Sequence, residues 1–158
     1  WKVTKMTEQT MEYAREVGVI PEVISSMEEA GWENGIEGFM ATSDLQRVAE
    51  YIDQYLPEIY YVNSEPGCVD IMASGVSKWR GIKILAESLN IAHEDILTVG
   101  NYYNDIDMLQ HAGVGIAVAN SLPEVKDVAD FVTEYDNNHD AVAEIISKML
   151  HHEYDMTK

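Results

Sequence analysis

Lys78 and the loop Gly100-Asn101-Tyr102-Tyr103-Asn104-Asp105 are the residues whose types and placement could do chemistry in this sequence. The loop follows the apolar run Ile96-Leu97-Thr98-Val99 and leads into an apolar-striped segment. Amides exposed at a helix start favour anions, and a carboxylate such as Asp105 can hold a hard cation through oxygen. Capping of the helix by Asn104 and Asp105 would use the same residue types for a purely structural end. Lys78 stands at the start of a predicted helix, where the positive end of the dipole disfavours a cation. It reads either as a solvated surface lysine or as a point charge kept there to meet a phosphate oxygen or a site carboxylate.

These residues are positioned by an alternation of helix and strand that begins at Gly75. Ser77 caps a predicted helix with an inner face of Ile82, Leu85, Ala86 and Leu89, and residues 96–99 form a buried strand. A helix carrying Ile106, Leu109 and Ala112 follows, then a strand over 115–119. Ser121-Leu122-Pro123-Glu124 has capping-box spacing with proline in the first turn, ahead of a strand at 131–133. Val142, Ile145, Ile146 and Met149 stripe a last helix, and residues 151–158, with His151 and His152, read as a frayed tail. Such alternation predicts a parallel α/β sheet, with ligands beyond the carboxyl ends of its strands.

The first half has a different rhythm. Residues 7–17 form a modest helix. Pro21 opens a second, in which Val23, Ile24, Met27 and Ala30 share a face and Gly31 ends it. Ser43 and Gln46 have capping-box spacing before the stripe Leu45, Val48, Ala49, Ile52 and Leu56. Residues 59–64 and 68–73, around Glu65-Pro66-Gly67, predict an antiparallel hairpin. This half is α+β, and its lone Cys68 reads as a small buried hydrophobe.

With 28 acidic residues against 10 basic ones, the formal charge of −18 excludes polyanions such as nucleic acid and anionic membranes as natural partners. No apolar run is long enough to cross a bilayer and no signal core opens the chain, so a cytoplasmic location is expected. The glycines of Ala112-Gly113-Val114-Gly115 precede a strand instead of following one, which misplaces them for a dinucleotide site. No Gly-x-Ser-x-Gly elbow exists for serine hydrolase chemistry.

The string from Gly75-Val76-Ser77-Lys78 through Gly100, Asn104-Asp105 and Met108-Leu109 to Gly115-Ile116-Ala117-Val118-Ala119-Asn120 closely resembles haloacid dehalogenase-type phosphatases of the Cof subfamily. The likeness implies a partial Rossmann-like core over 75–158, preceded by part of an α+β cap domain over 1–74. It implies a Mg2+-dependent phosphohydrolase of small phosphorylated metabolites, sugar phosphates above all, working through an aspartyl-phosphate. Lys78 would stabilise the nucleophile and the phosphoryl charge, Asn101 and Asp105 would lie at the metal, and Asn104 and Asn120 would make polar contacts near the phosphate.

The sequence departs from that pattern twice. Where the family has aspartate after the glycine, Asn101 offers a neutral amide, a weaker ligand for a hard cation. The family's nucleophilic Asp-x-Asp has no counterpart at a usable position, because the only such string is Asp105-Ile106-Asp107. The chain, opening on Trp1, is therefore expected to start inside the cap and to be inactive alone. In the family the nucleophile strand borders the strand at 96–99. Its absence is expected to leave a hydrophobic sheet edge that associates with a second copy, swaps elements, or pairs with the missing portion. A fold that has kept its shape and lost its chemistry, serving as a binding protein, is the alternative that Asn101 motivates.

Overall fold

The structure, a computed structural model, describes residues 1–31, 33 and 35–154. Two sheets carry most of it, one in each half of the chain. In the first half, β1 (Lys2–Val3) pairs in parallel with β2 (Glu22–Val23) around helix α1 (Glu8–Val17). Thr7 caps α1 by accepting the Thr10 amide at 3.1 Å. A sheet of order β3-β5-β4 follows, made of β3 (Phe39–Ala41), β4 (Ile59–Glu65) and β5 (Cys68–Ala73), with α2 (Leu45–Tyr55) between β3 and β4. Both of its pairings are antiparallel, and the predicted hairpin is β4–β5.

The second half is α3 (Lys78–Leu89), β6 (Leu97–Gly100), α4 (Ile106–His111), β7 (Val114–Ala117), α5 (Pro123–Val128), β8 (Phe131–Val132) and α6 (Ala141–Leu150). Its strands are parallel in the order β6-β7-β8, with Leu97 opposite Val114 and Ile116 opposite Phe131. The expected α/β class is what the structure has. Every residue of β7 is buried, as both faces of a covered parallel strand require. On one face Val114 and Ile116 pack with Ile145 and Tyr154, and on the other Leu109, Ala117 and Val125 form a second cluster. β6 is the edge strand, and no described strand lies beyond it.

Several expected elements took other forms. The helix after Pro21 is a strand followed by a single 3-10 turn, Met27–Ala30. Backbone pairing wins there, since the Glu22 and Ile24 amides donate to the Trp1 and Val3 carbonyls at 2.9 Å each. Gly31 does end the turn in the left-handed conformation, while the side chain of Met27 lies outside what is described. Ser43 does not cap α2. Asp44 precedes that helix with a φ of 50°, and Gln46 donates along the helix to Glu50 at 2.9 Å. Ser121 does not cap α5 either, because its hydroxyl is drawn to the Gly100 carbonyl.

Two apolar stripes also face differently than periodicity predicts. In α3 the buried residues are Trp79 and Ala86, with Ile82 packed beside them, whereas Leu85 and Leu89 are about 60% exposed. In α6 only Ala141 and Ile145 are buried, and Val142, Ile146 and Met149 face out. Part of the predicted frayed tail is anchored: the Tyr154 ring is buried and lies 4.8 Å from that of the partly buried Phe131, and residues 155–158 lie outside the described residues. Among the described residues no helix is long and apolar enough to cross a membrane.

Cys68 is buried on β5, and burial first, then the neighbouring Glu65, pushes its thiol up to about 11. The folded value lies above the unfolded one, so this contribution to stability is complete below the ordinary thiol value and is lost as pH rises towards 11. Thiol titration with a chromogenic disulfide at neutral pH should therefore find Cys68 unreactive in the native chain and reactive in denaturant.

Candidate active site

The geometry begins with Gly100, the last residue of β6. A Cβ at this position would lie 2.8 Å from the carboxyl carbon of Asp105, so the chain can fold this tightly only with glycine there. The turn carries residues 101–105 over the end of the strand and returns Asp105, 3% exposed, beneath its own loop. One carboxylate oxygen of Asp105 accepts the Asn101 amide at 2.8 Å and the Tyr102 amide at 3.2 Å. The other accepts the ammonium of Lys78 at 2.5 Å. A charge withdrawn from water this far needs such partners, and three donors meet it.

Lys78 reaches this point because the local sequence sets where α3 starts. Gly75 sits at a φ of 78°, a left-handed turn that suits glycine. The Arg80 guanidinium donates to the Gly75 carbonyl at 2.9 Å, and the Ser77 hydroxyl accepts the Arg80 amide at 3.1 Å. With the first turn fixed in this way, Lys78 lies opposite β6. Its side chain is half exposed, with the ammonium on Asp105. The unfavourable position of a cation at a helix start is offset by a buried carboxylate.

Asn101 and Asn104 share this turn. The Asn101 side chain is exposed, and Asn104 is half-buried within the 3-10 turn Tyr103–Asp105. Asn120 belongs to the adjoining loop and is committed elsewhere, donating to the Asn137 side-chain oxygen at 2.5 Å and accepting the Asn137 amide at 3.3 Å. The link between the loops is Ser121, whose hydroxyl donates to Gly100 at 3.2 Å, together with the Leu122 amide, which donates to Asn101. Sequence reasoning missed Ser121 and Asn137, since a serine before proline reads first as a helix cap. Beyond them, Glu144 accepts from Lys148 at 2.7 Å and from the Glu134 and Tyr135 amides, and so holds the segment after β8. Burial alone would raise the Glu144 carboxyl, but those donors outweigh it and hold the group below its ordinary value.

The first half of the chain approaches the site through β4, which packs against the 103–105 turn. Burial, and second the charge of Asp107, push the Tyr60 phenol up. Asp107 itself lies on α4 and faces His111 at 3.2 Å. Among the described residues no three His, Cys, Asp or Glu side chains gather as a metal would require. The donors at the loop are one neutral amide, Asn101, and one carboxylate that already accepts three donors, too few by themselves to hold a magnesium ion.

Comparison with known proteins now assigns the family. The chain belongs to the haloacid dehalogenase-like hydrolases, whose sequence profile matches residues 4–146. It is 35% identical over 108 residues to YxeH of Bacillus subtilis, covering 68% of this chain and 40% of that protein. It is 34% identical over 89 residues to the 5-amino-6-(5-phospho-D-ribitylamino)uracil phosphatase of the same organism, covering 56% of this chain and 35% of that one. Among solved structures, a subclass IIB sugar phosphatase of the superfamily superposes with a TM-score of 0.75 at 25% identity, covering 93% of this chain and 54% of the other. The chain thus spans about two-fifths of the length of the curated relatives it matches first and just over half of the solved ones.

Removal of either partner of the central pair should have unequal effects. Asp105→Ala strands two loop amides and should cost about 1–3 kcal/mol of unfolding free energy. Lys78→Ala leaves the carboxylate its amides and loses a half-exposed ion pair, so it should cost about 1 kcal/mol or less. Denaturant titration of both variants measures the order.

Proposed function

We propose that this chain is part of a phosphohydrolase acting on small phosphorylated metabolites, with sugar phosphates the favoured class. The observation that carries the reading is the Lys78–Asp105 pair at the carboxyl end of β6, in a chain of the haloacid dehalogenase-like hydrolase family. Ligands of open α/β sheets bind at that end of the strands, and a half-exposed ammonium there would offset phosphoryl charge as it develops. Asn104 would line the same region and make polar contacts with the phosphate, and Asn120 would join it only through the amide hydrogen that Asn137 does not take.

In this reading residues 1–74 belong to a cap and residues 75–158 to the core. An aspartate outside these residues attacks phosphorus and expels the alcohol oxygen. Water then cleaves the aspartyl-phosphate to return the carboxylate and release inorganic phosphate. Asp105 is poorly placed to be that nucleophile, being buried and bound by three donors. In this reading the chain acts only together with that aspartate. Magnesium, if the reaction uses it, would be held chiefly by residues other than those described here, with Asn101 and Asp105 at its margin. The enzyme is taken to be cytoplasmic, and its charge of −18 keeps it from nucleic acid and anionic membranes. The open edge of β6 and the exposed Leu85 and Leu89 of α3 favour association, either with the complementary portion or with a second copy.

One observation favours a second reading. Asn101 removes a negative charge from the loop, as a binding protein without turnover would tolerate. The test is phosphate release from a panel of phosphomonoesters by the protein joined to an aspartate-bearing first strand. The hydrolase reading expects release that falls by about 100-fold or more in Lys78→Ala. No release from any substrate would favour the silent protein.

A further inference from the structure

Helix α1 turns a polar face inwards. Gln9, Glu12, Tyr13 and Glu16 follow helical spacing along one side, and that side looks towards β3 and the β4–β5 turn. The apolar Met11 and Val17 face out instead, 41% and 44% exposed. Thr10 is the buried residue of the helix, with its hydroxyl engaged by that of Thr7 at 2.8 Å. Where an apolar stripe would have packed a core, there is a cavity of about 750 Å³, a size typical of small-molecule sites. Ile24, Phe39, Met40 and Cys68 give it an apolar floor. Gln9 closes one end by donating to the Gly67 carbonyl at 3.5 Å.

We propose that this cavity binds a small organic ammonium ion, with the Trp1 and Tyr13 rings against the cation and Glu16 and Glu65 as its counter-charges. The site lies wholly in the first half of the chain and uses none of the residues around Asp105, so it goes beyond the function above.

The lining sets the ligand class. Trp1 and Tyr13 meet edge to face, with ring centroids 5.5 Å apart and 73° between the planes. Aromatic faces attract a cation through the ring quadrupole, most strongly when the cation is partly desolvated. Glu12, Glu16 and Glu65 also line the cavity, and none of them is paired with a cation among the described residues. Of the two lysines in the lining, Lys2 is committed elsewhere: it donates to the Glu29 carbonyl at 2.7 Å and lies 3.9 Å from Glu22. Lys5 is exposed beyond the end of β1. Burial, and then the charges of Glu65 and Asp70, push the Tyr13 phenol up, in keeping with a negative environment at that ring. The charge of −18 draws cations to the chain, and a cleft between low-dielectric walls focuses such a field.

The test uses the 158-residue chain, 15N-labelled, with choline chloride as the probe. Sodium chloride of equal ionic strength and neopentylcarbinol, the neutral carbon isostere of choline, are the controls. Saturable shifts of the Trp1 indole, the Gln9 side-chain amide and the Tyr13 and Gly67 amides are expected, with a dissociation constant on the order of 1 mM. Neopentylcarbinol should bind at least about fivefold more weakly. Glu65→Gln and Tyr13→Leu should each weaken choline binding by about fivefold while the spectrum stays dispersed. Equal shifts with neopentylcarbinol would overturn the proposal, as would shifts that sodium chloride reproduces. Unchanged affinity in both variants would overturn it too. Should a variant fail to fold, the comparison of choline with its isostere on the parent chain still decides.

Discussion

The interaction on which the rest depends is the burial of one carboxylate. Asp105 lies almost wholly out of water, and a charge there is tolerated only when donors surround it. The donors come from two parts of the local fold: Lys78 from the first turn of α3, and the Asn101 and Tyr102 amides from the turn that leaves β6. To satisfy the charge is therefore to fix the distance between α3 and β6 and the path of the loop between β6 and α4. Gly100 is the steric condition for this, and Ser121 extends the order to the next loop by holding the Gly100 carbonyl.

The layers behind the site supply its rigidity. β7 is buried along its whole length, with α4 and α5 over one face and α6 over the other. Gly115 illustrates how closely α4 is laid down, since a Cβ there would meet the backbone of Leu109. Small residues let helix and strand approach, and the approach sets where α4 starts, hence where Asp105 is. The first half of the chain touches this arrangement through β4, beside the 103–105 turn.

Where alternation was strict, the fold was legible from sequence. The parallel segments, the β4–β5 hairpin and the Ser77 cap follow from patterns complete within a few residues. The errors arose where a distant partner competed. Glu22 and Ile24 carry a helix-compatible pattern, yet the backbone of residues 1–3 claims them for a strand. Ser121 has a cap's sequence context, yet a carbonyl from another strand is nearer. The outer stripes of α3 and α6 read as core because periodicity reports an apolar face and says nothing of whether anything covers it. At the site, Lys78 and Asp105 were legible as residue types and as a resemblance. Their union was legible only as one of two readings of Lys78, because a contact across 27 residues leaves no local pattern.

The central claim, that one buried carboxylate couples α3 to the loop after β6, is most directly tested by a double-mutant cycle between Lys78 and Asp105. Unfolding free energies of the parent chain, Lys78→Met, Asp105→Asn and the double variant give the coupling term. The pair described here predicts a favourable coupling of about 0.5–1 kcal/mol that shrinks only modestly in salt, because one partner is buried. Additive effects, with no coupling beyond error, would contradict it.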